Sequence, residues 1–443
     1  MDYIIDDYGD GKCIINNFSS DETIVEIPEV LDGNKVVNID AFALDCPNAT
    51  KIILPKTLES ISYNNFYNSK ELECIDMSKT KITHLEENVF DSCEKLKTVY
   101  FPMCLKLMHE SFKNCKNLEC INLPDSVENV SGEFADCAIK TLNLGKNIKR
   151  LDFAANFFCE KISLDKDSTT FKEDNGFIYF EDTLIIANKN IKEYKLPDFV
   201  HKIKINAFNN ANIENLDLNN VEQVESFAFV NANIKNLYGN NLTKISNYAF
   251  NRLHTENIEL KNLTFIESGA FSGAEIENIK LNDKLTTICS EAFLEAKIAK
   301  FKCPENLQTI DCRAFAESSL EVIEFNRKLK NISEGAFDGC LTSSKIIVPK
   351  SVEYIGPGAF TYSANALYVF SKNTQYNNSI AFFSNVKECY NIIVPIKGCT
   401  ASDFFSGTNL ENKEITTDTS IDALLKEGLT FKEANEAFKY TER

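Results

Sequence analysis

The sequence predicts a solenoid: a right-handed superhelix of short parallel strands with mostly non-helical returns. Three observations carry the prediction. Phenylalanine recurs at a nearly fixed spacing, a short apolar alternation follows each ring after about ten residues, and a second apolar pair precedes the next ring. A fixed period of roughly 20–50 residues marks a chain built from stacked units, each too small to bury its own apolar face.

Phe42, Phe66, Phe90, Phe112, Phe134 and Phe158 follow one another at spacings of 22 to 24, and Phe208, Phe229, Phe250, Phe271, Phe293, Phe315, Phe337 and Phe360 at 21 to 23. Most follow a small residue, as in Ala41-Phe42, Ala207-Phe208 and Ala359-Phe360. The alternation is seen in Ile52-Ile53-Leu54-Pro55, Ile121-Asn122-Leu123-Pro124, Ile346-Ile347-Val348-Pro349 and Ile392-Ile393-Val394-Pro395. Period two over three or four residues is a short strand with one buried face, and proline ends it because it has no N–H for a ladder. The second step is Leu58 and Ile61, Val127 and Val130, Leu285 and Ile288, Leu307 and Ile310, or Val352 and Ile355. Stacking units would align these positions into stripes of Ile/Leu and of Phe.

The ends and one internal segment differ. Residues 1–40 are expected to form an N-terminal cap, with turns at Asp10-Gly11 and Asp32-Gly33, ahead of repeats over 41–164. Between Phe158 and Phe208, the alternation from Phe171 to Ile186 around Asn175-Gly176 and Glu181-Asp182 is a hairpin signature, so 165–188 is expected to be a β-hairpin insertion. It serves either to shield a kink or as a ligand-contacting arm. Repeats resume over 189–415. Over 416–443, Thr419-Ser420-Ile421-Asp422, Gly428 and the capping box Thr430-Phe431-Lys432-Glu433 predict a short helical C-terminal cap, with homo-association through it as the sharper alternative.

These motifs resemble the BspA-like, or Treponema pallidum-type, leucine-rich repeat, with its Leu-x-x-Ile-x-Leu-Pro strand and Ile-x-x-x-Ala-Phe-x-x-Cys return. Cys93, Cys115, Cys137 and Cys340 stand three residues after their phenylalanines as that pattern expects, and Ala211, Ala232, Ala274, Ala296 and Ser318 replace them elsewhere. The lead-in Ile27-Pro28, Asp32-Gly33, Val36, Ile39 and Ala41-Phe42 is also similar to the family's. The resemblance covers the chain to about residue 410. It implies a leucine-rich-repeat solenoid and a role in surface attachment and protein binding.

The formal charge of −18 argues against nucleic acid and anionic lipid as partners. No stretch approaches the apolar length of a membrane span. Met1-Asp2-Tyr3-Ile4-Ile5-Asp6-Asp7 carries no apolar leader, so cell surface by resemblance and cytoplasm as written stay open. Fifteen cysteines without a Cys-x-x-Cys pair, and four scattered histidines, suggest neither a disulfide framework nor a zinc site. Exchange of Cys for Ala or Ser after the phenylalanine suits a crowded packing position better than a metal ligand. No nucleophile elbow, phosphate loop or zinc-protease motif occurs, so no catalysis and no cofactor are expected.

Residues flanking the buried strand positions point outward. One such row reads Asp76, Tyr100, Asn122, Asn143, Ser163, Lys195, Asp217, Tyr238, Glu259, Lys280, Lys302, Glu324, Ile347 and Tyr368. Beside it Asn215, Asn236, Asn257 and Asn278 recur at a constant 21, which is expected to be an amide ladder joining coils. Tyr238, Lys280, Lys300 and Lys302 join an aromatic side chain to cations on a rigid surface and are the candidate partner-binding residues. The expected function is protein–protein recognition by a non-catalytic scaffold, adhesin-like or effector-like. The alternative is a self-associating structural or surface component.

Overall fold

The computed structural model describes residues 2–153, 157–187, 190–342, 349 and 351–360, with the strands Leu367–Val369, Gln375–Tyr376 and Asn391–Ile393 beyond. The segment 416–443 and the strand motif Ile346-Ile347-Val348 lie outside the described residues. The chain divides into two units, Met1–Lys189 and Asn190–Arg443. Both are parallel-strand solenoids, and no helix occurs among the described residues.

Each coil contributes one main strand. In the first unit Ile24–Glu26, Lys51–Ile53, Cys74–Asp76, Thr98–Tyr100, Leu118–Asn122, Ala138–Leu144 and Phe158–Leu164 form one parallel sheet in sequence order. In the second, Asn190–Lys195, Asn212–Asp217, Asn233–Gly239, His254–Leu260, Glu275–Leu281, Lys297–Lys302, Ser319–Glu324 and Leu341–Thr342 do the same. Register follows the apolar pattern: Ile52 faces Ile75, and Ile213 and Leu216 face Ile234 and Leu237, all buried. A slip of one residue would turn this set to solvent, so burial fixes the register.

The second apolar step is itself a ladder. Two-residue strands Lys202–Ile203, Gln223–Val224, Lys244–Ile245, Phe265–Ile266, Thr287–Ile288, Thr309–Ile310, Asn331–Ile332 and Tyr354–Ile355 pair in parallel, each burying its second residue. Two residues are too few to announce a strand by alternation; neighbouring coils supply the hydrogen bonds.

Between the two ladders the return carries the phenylalanine. Phe208, Phe229, Phe250, Phe271, Phe293, Phe315, Phe337 and Phe360 are buried, with successive ring centroids 4.5–5.4 Å apart. In the first unit Phe66, Phe90, Phe112 and Phe134 stack likewise at 5.0–5.7 Å. Backbone bonds run along the same line: Phe229, Phe250 and Phe271 N–H donate to the carbonyls of Ala249, Ala270 and Ala292 at 2.7–2.8 Å.

That alignment requires left-handed backbone two residues before and two after the ring. Asn206 and Asn210 flank Phe208, Tyr248 and Arg252 flank Phe250, and Glu291 and Glu295 flank Phe293, all with φ between 54° and 62°. A non-glycine residue there costs roughly 1–2 kcal/mol. The cost is offset because these N–H groups also bond to the next coil, as Arg252 does to Ser272 O at 2.8 Å and Glu295 to Ala316 O at 2.9 Å. A buried return without such bonds would leave its amides unsatisfied.

Two rings depart from the expected ladder. Phe42 is 64% exposed with φ 57°, because it lies three residues after Ile39, whereas Phe66 lies five after Ile61. It therefore fills the left-handed position, and Leu44 stands where the core ring would be. Phe158 opens the strand Phe158–Leu164 opposite Ala138 and is not a return residue. Asparagine tolerates left-handed backbone, so Phe42→Asn is expected to leave stability unchanged or raise it by up to about 1 kcal/mol, read from a urea midpoint.

The cysteines after the rings are packing residues with a bonding role. Cys93, Cys115 and Cys137 are buried and donate S–H to the carbonyls of Phe66, Phe90 and Phe112 at 2.9, 3.2 and 2.7 Å. Ser318 donates to Phe315 O at 2.6 Å in the same position. Burial pushes the Cys93 thiol up to about 12, and the neighbouring Cys137 thiol adds to burial in raising Cys115, so both stay protonated.

At the N-terminus Asp2–Gly9 and Lys12–Ser19 form a hairpin through Asp10-Gly11, with φ of 53° and 69°, as a two-residue turn of this kind needs. Lys12–Ser19 then pairs in parallel with Asn34–Ile39. Asp2, Asp6 and Asp7 lie on the outermost strand, where charge discourages edge-to-edge pairing. The segment after Phe158–Leu164 is a three-stranded antiparallel meander, Lys172–Asp174, Phe177–Phe180 and Thr183–Ile186, with Phe177, Ile178, Tyr179 and Leu184 buried.

Candidate binding face

The face of the second unit's main sheet is organised row by row, because parallel register repeats each position at coil spacing, about 4.8 Å. Lys195, Asp217, Tyr238, Glu259 and Lys280 are aligned partners on successive strands, and Lys302 aligns with Glu324. Tyr238 is 39% exposed between Asp217 and Glu259. Lys280 lies two coils from it, about 10 Å along the row.

The adjacent row is an amide ladder. Asn236 Nδ2 donates to Asn215 Oδ1 at 2.7 Å, Asn257 to Asn236 at 2.7 Å and Asn278 to Asn257 at 3.0 Å, while Asn215 donates to Glu193 at 3.1 Å. Lys300 faces Asn278 on the next strand, where the run of asparagines ends. A further asparagine row, in the turns after the strands, binds backbone carbonyls of the preceding coil: Asn220 to Asp198 O, Asn241 to Asn219 O and Asn262 to Asn240 O, at 2.7–3.1 Å.

The lysines of the face are partly engaged. Lys280 Nζ lies 2.8 Å from Glu259 Oε1, and this bond holds the Glu259 carboxyl below its ordinary value. Lys300 Nζ lies 3.3 Å from Glu324 Oε1. Lys302 makes no ion pair among the described residues. Exposed pairs of this kind contribute little to stability and exchange readily for other carboxylates. The counter-charges Glu259 and Glu324 both stand in the predicted outward row, but their spacing alone does not pair them with these lysines.

A second feature of this face has a weaker sequence signal. A groove of about 500 Å³ runs over the strand starts, lined among others by Lys192, Glu214, Lys235, Glu256 and His254. Lys235 and Glu256 pair at 3.6 Å and His254 Nδ1 meets Glu275 at 3.2 Å. Lys192, Glu214, Lys235 and Glu256 alternate in sign at spacings of 21 and 22, which is the pattern that reveals the row. No group of His, Cys, Asp and Glu that would hold a metal ion occurs among the described residues. Among them, no helix is long and apolar enough to cross a membrane.

Comparison with known proteins agrees with this architecture. The family model described as the BspA type leucine rich repeat region matches in six copies, over residues 34–164, 185–298 and 286–411. A leucine-rich repeat protein from Eubacterium ventriosum is similar in structure, with a TM-score of 0.53 at 16% identity, covering 80% of this chain and 91% of that one. The T. pallidum leucine rich repeat protein is 24% identical over 37% of this chain and 82% of its own, with a TM-score of 0.30. The pneumococcal vaccine antigen PcpA is 16% identical, covering 94% of this chain and 96% of its own, with a TM-score of 0.40. No curated protein matches the chain. The repeats and the extent of the family match together show that the chain belongs to the BspA-type leucine-rich repeat family.

Proposed function

We propose that the protein is a non-catalytic recognition scaffold, adhesin-like or effector-like, that takes an acidic protein partner on the strand face of the second unit. The observation that carries this reading is the composition of that face. Tyr238 and the exposed ammonium groups of Lys280, Lys300 and Lys302 stand on a surface held rigid by the amide ladder, so little side-chain and backbone order remains to be gained on binding. A partner carboxylate would take the place of Glu259 or Glu324 at a lysine, and a partner group would cover Tyr238. The family's association with surface attachment supports the adhesin-like form.

The test is capture of a partner by the intact chain, followed by affinity measurement on the purified pair. Lys280→Glu, Lys300→Glu and Lys302→Glu combined should weaken binding at least ten-fold, a loss of about 1.4 kcal/mol or more. The association rate should fall as salt rises. Unchanged affinity in the triple variant, or capture of further copies of the same chain alone, would refute this reading and favour a self-associating component.

A further inference from the structure

The first unit carries a groove of about 370 Å³ between the returns of its first two coils, lined by Phe42, Asp45, Asn64, Tyr67, Asn68 and Lys70 among others. Phe42 is 64% exposed and Tyr67 52%. Tyr63, also 52% exposed, sets its ring perpendicular to that of Phe42 at 6.0 Å, which fixes the Phe42 ring without covering it. Phe42 occupies a left-handed position that the next two coils fill with Asn64 and Asn88. The ring is thus both strained and solvent-exposed, two costs that asparagine would avoid.

The polar groups of the groove divide into spent and unspent. Asn65, which also lines the groove, is consumed by bonds to Ala43 N, Asp40 O and Ser62 O. The side chains of Asn64, Asn68, Tyr67 and Asp45 make no hydrogen bond among the described residues. Charge is balanced: Asp45 is offset by Lys70 on the same rim, and Glu71 is paired with Lys95 at 2.7 Å. The groove therefore offers exposed aromatic faces, unspent amide and hydroxyl groups, and no net charge. Its volume is within the range of small-ligand sites.

We propose that this groove binds a neutral saccharide, one pyranose unit of a glycan. A pyranose presents a face of C–H groups that packs on an aromatic ring, and equatorial hydroxyls that both donate and accept hydrogen bonds. Phe42 and Tyr67 supply the apolar contact, and Asn64, Asn68 and Asp45 address the hydroxyls. An anionic sugar finds no surplus cation here, on a chain whose formal charge is −18.

The test uses the full chain with cellohexaose, chitohexaose and laminarihexaose as neutral probes and sialyllactose as the anionic control, read by titration calorimetry and saturation-transfer NMR. At least one neutral probe should bind saturably and sialyllactose should not. Phe42→Asn, which keeps the fold because asparagine suits the left-handed position, should weaken that binding at least ten-fold, as should Tyr67→Ser. The Lys280, Lys300 and Lys302 triple variant should bind the probe normally, which separates this site from the face of the second unit. Absence of binding by all three neutral probes, equal binding of sialyllactose, or binding indifferent to Phe42→Asn overturns the proposal.

Discussion

Replacing Phe250 by alanine is expected to destabilise the second unit by about 3–5 kcal/mol. The ring is fully buried and stands between Phe229 at 4.8 Å and Phe271 at 5.1 Å, so truncation removes the contact on both sides and leaves a cavity. The flanking backbone bonds, Phe250 N to Ala270 O and Phe229 N to Ala249 O, hold the neighbouring coils at fixed spacing and limit collapse into the gap. A solenoid distributes stability between nearest neighbours, so the loss should be local. Amide exchange should accelerate most in the coils bearing Phe229, Phe250 and Phe271, and less with distance from them. Urea unfolding of Phe250→Ala beside Phe42→Asn gives the internal control, since the second ring lies outside the stack. Equal destabilisation by the two would show that the ring stack does not carry the core.

A pH-dependent stability term of comparable size is expected from Glu133. It occupies the position before the ring that Ala228, Ala249 and Ala270 fill in the second unit, and it is 3% exposed. Burial pushes its carboxyl up to about 7, against backbone N–H bonds from Ser131 and from its own amide that favour the ionised form; Glu110 and Asp152 raise it further. The unfolded chain releases this proton near the ordinary glutamate value, about 4.3. Below that value both states are protonated and the contribution is fully present. Between there and about 7 the folded state holds a proton that the unfolded state has lost, so stability falls as pH rises and levels off above 7. The loss is on the order of 3 kcal/mol. Glutamine keeps an acceptor for Ser131 N–H and cannot ionise. Glu133→Gln should therefore gain on the parent chain as pH rises from 5 to 8 and show no advantage at pH 4. The difference between the two chains is the quantity to follow by urea unfolding, because other carboxylates such as Glu259 are lowered and contribute with the opposite slope. A difference constant over this range would mean that Glu133 ionises normally.

Several features of the molecule are legible in the sequence alone. The apolar alternation marked the main strands, and burial on one face made their register a consequence of the pattern. The constant spacing of Asn215, Asn236, Asn257 and Asn278 announced their amide ladder, since identical residues at identical register must meet. Tyr238 and Lys280 fell in the outward row for the same reason. Other features were hidden by their brevity or by frame. Phe42 follows an alanine just as Phe208 does, and only its distance from Ile39 shows that it belongs to the left-handed position. The second apolar step recurs at the repeat period, but two residues carry no period-two alternation that would mark them as strands.

By itself, the sequence determined the repeat, the identity of the buried stripes and the rows that reach the surface, because all three follow from residue type at a fixed period. The tertiary structure decided what each surface group meets on the next coil. It gave Lys280 to Glu259 and Lys300 to Glu324, shut Glu133 into a slot suited to alanine, and left Asn64 and Asn68 unspent beside an exposed Phe42. The physical reason is one of distance. A neighbour in space is one coil, some twenty residues, away in the chain, and whether two side chains touch depends on coil lengths that vary by one or two residues.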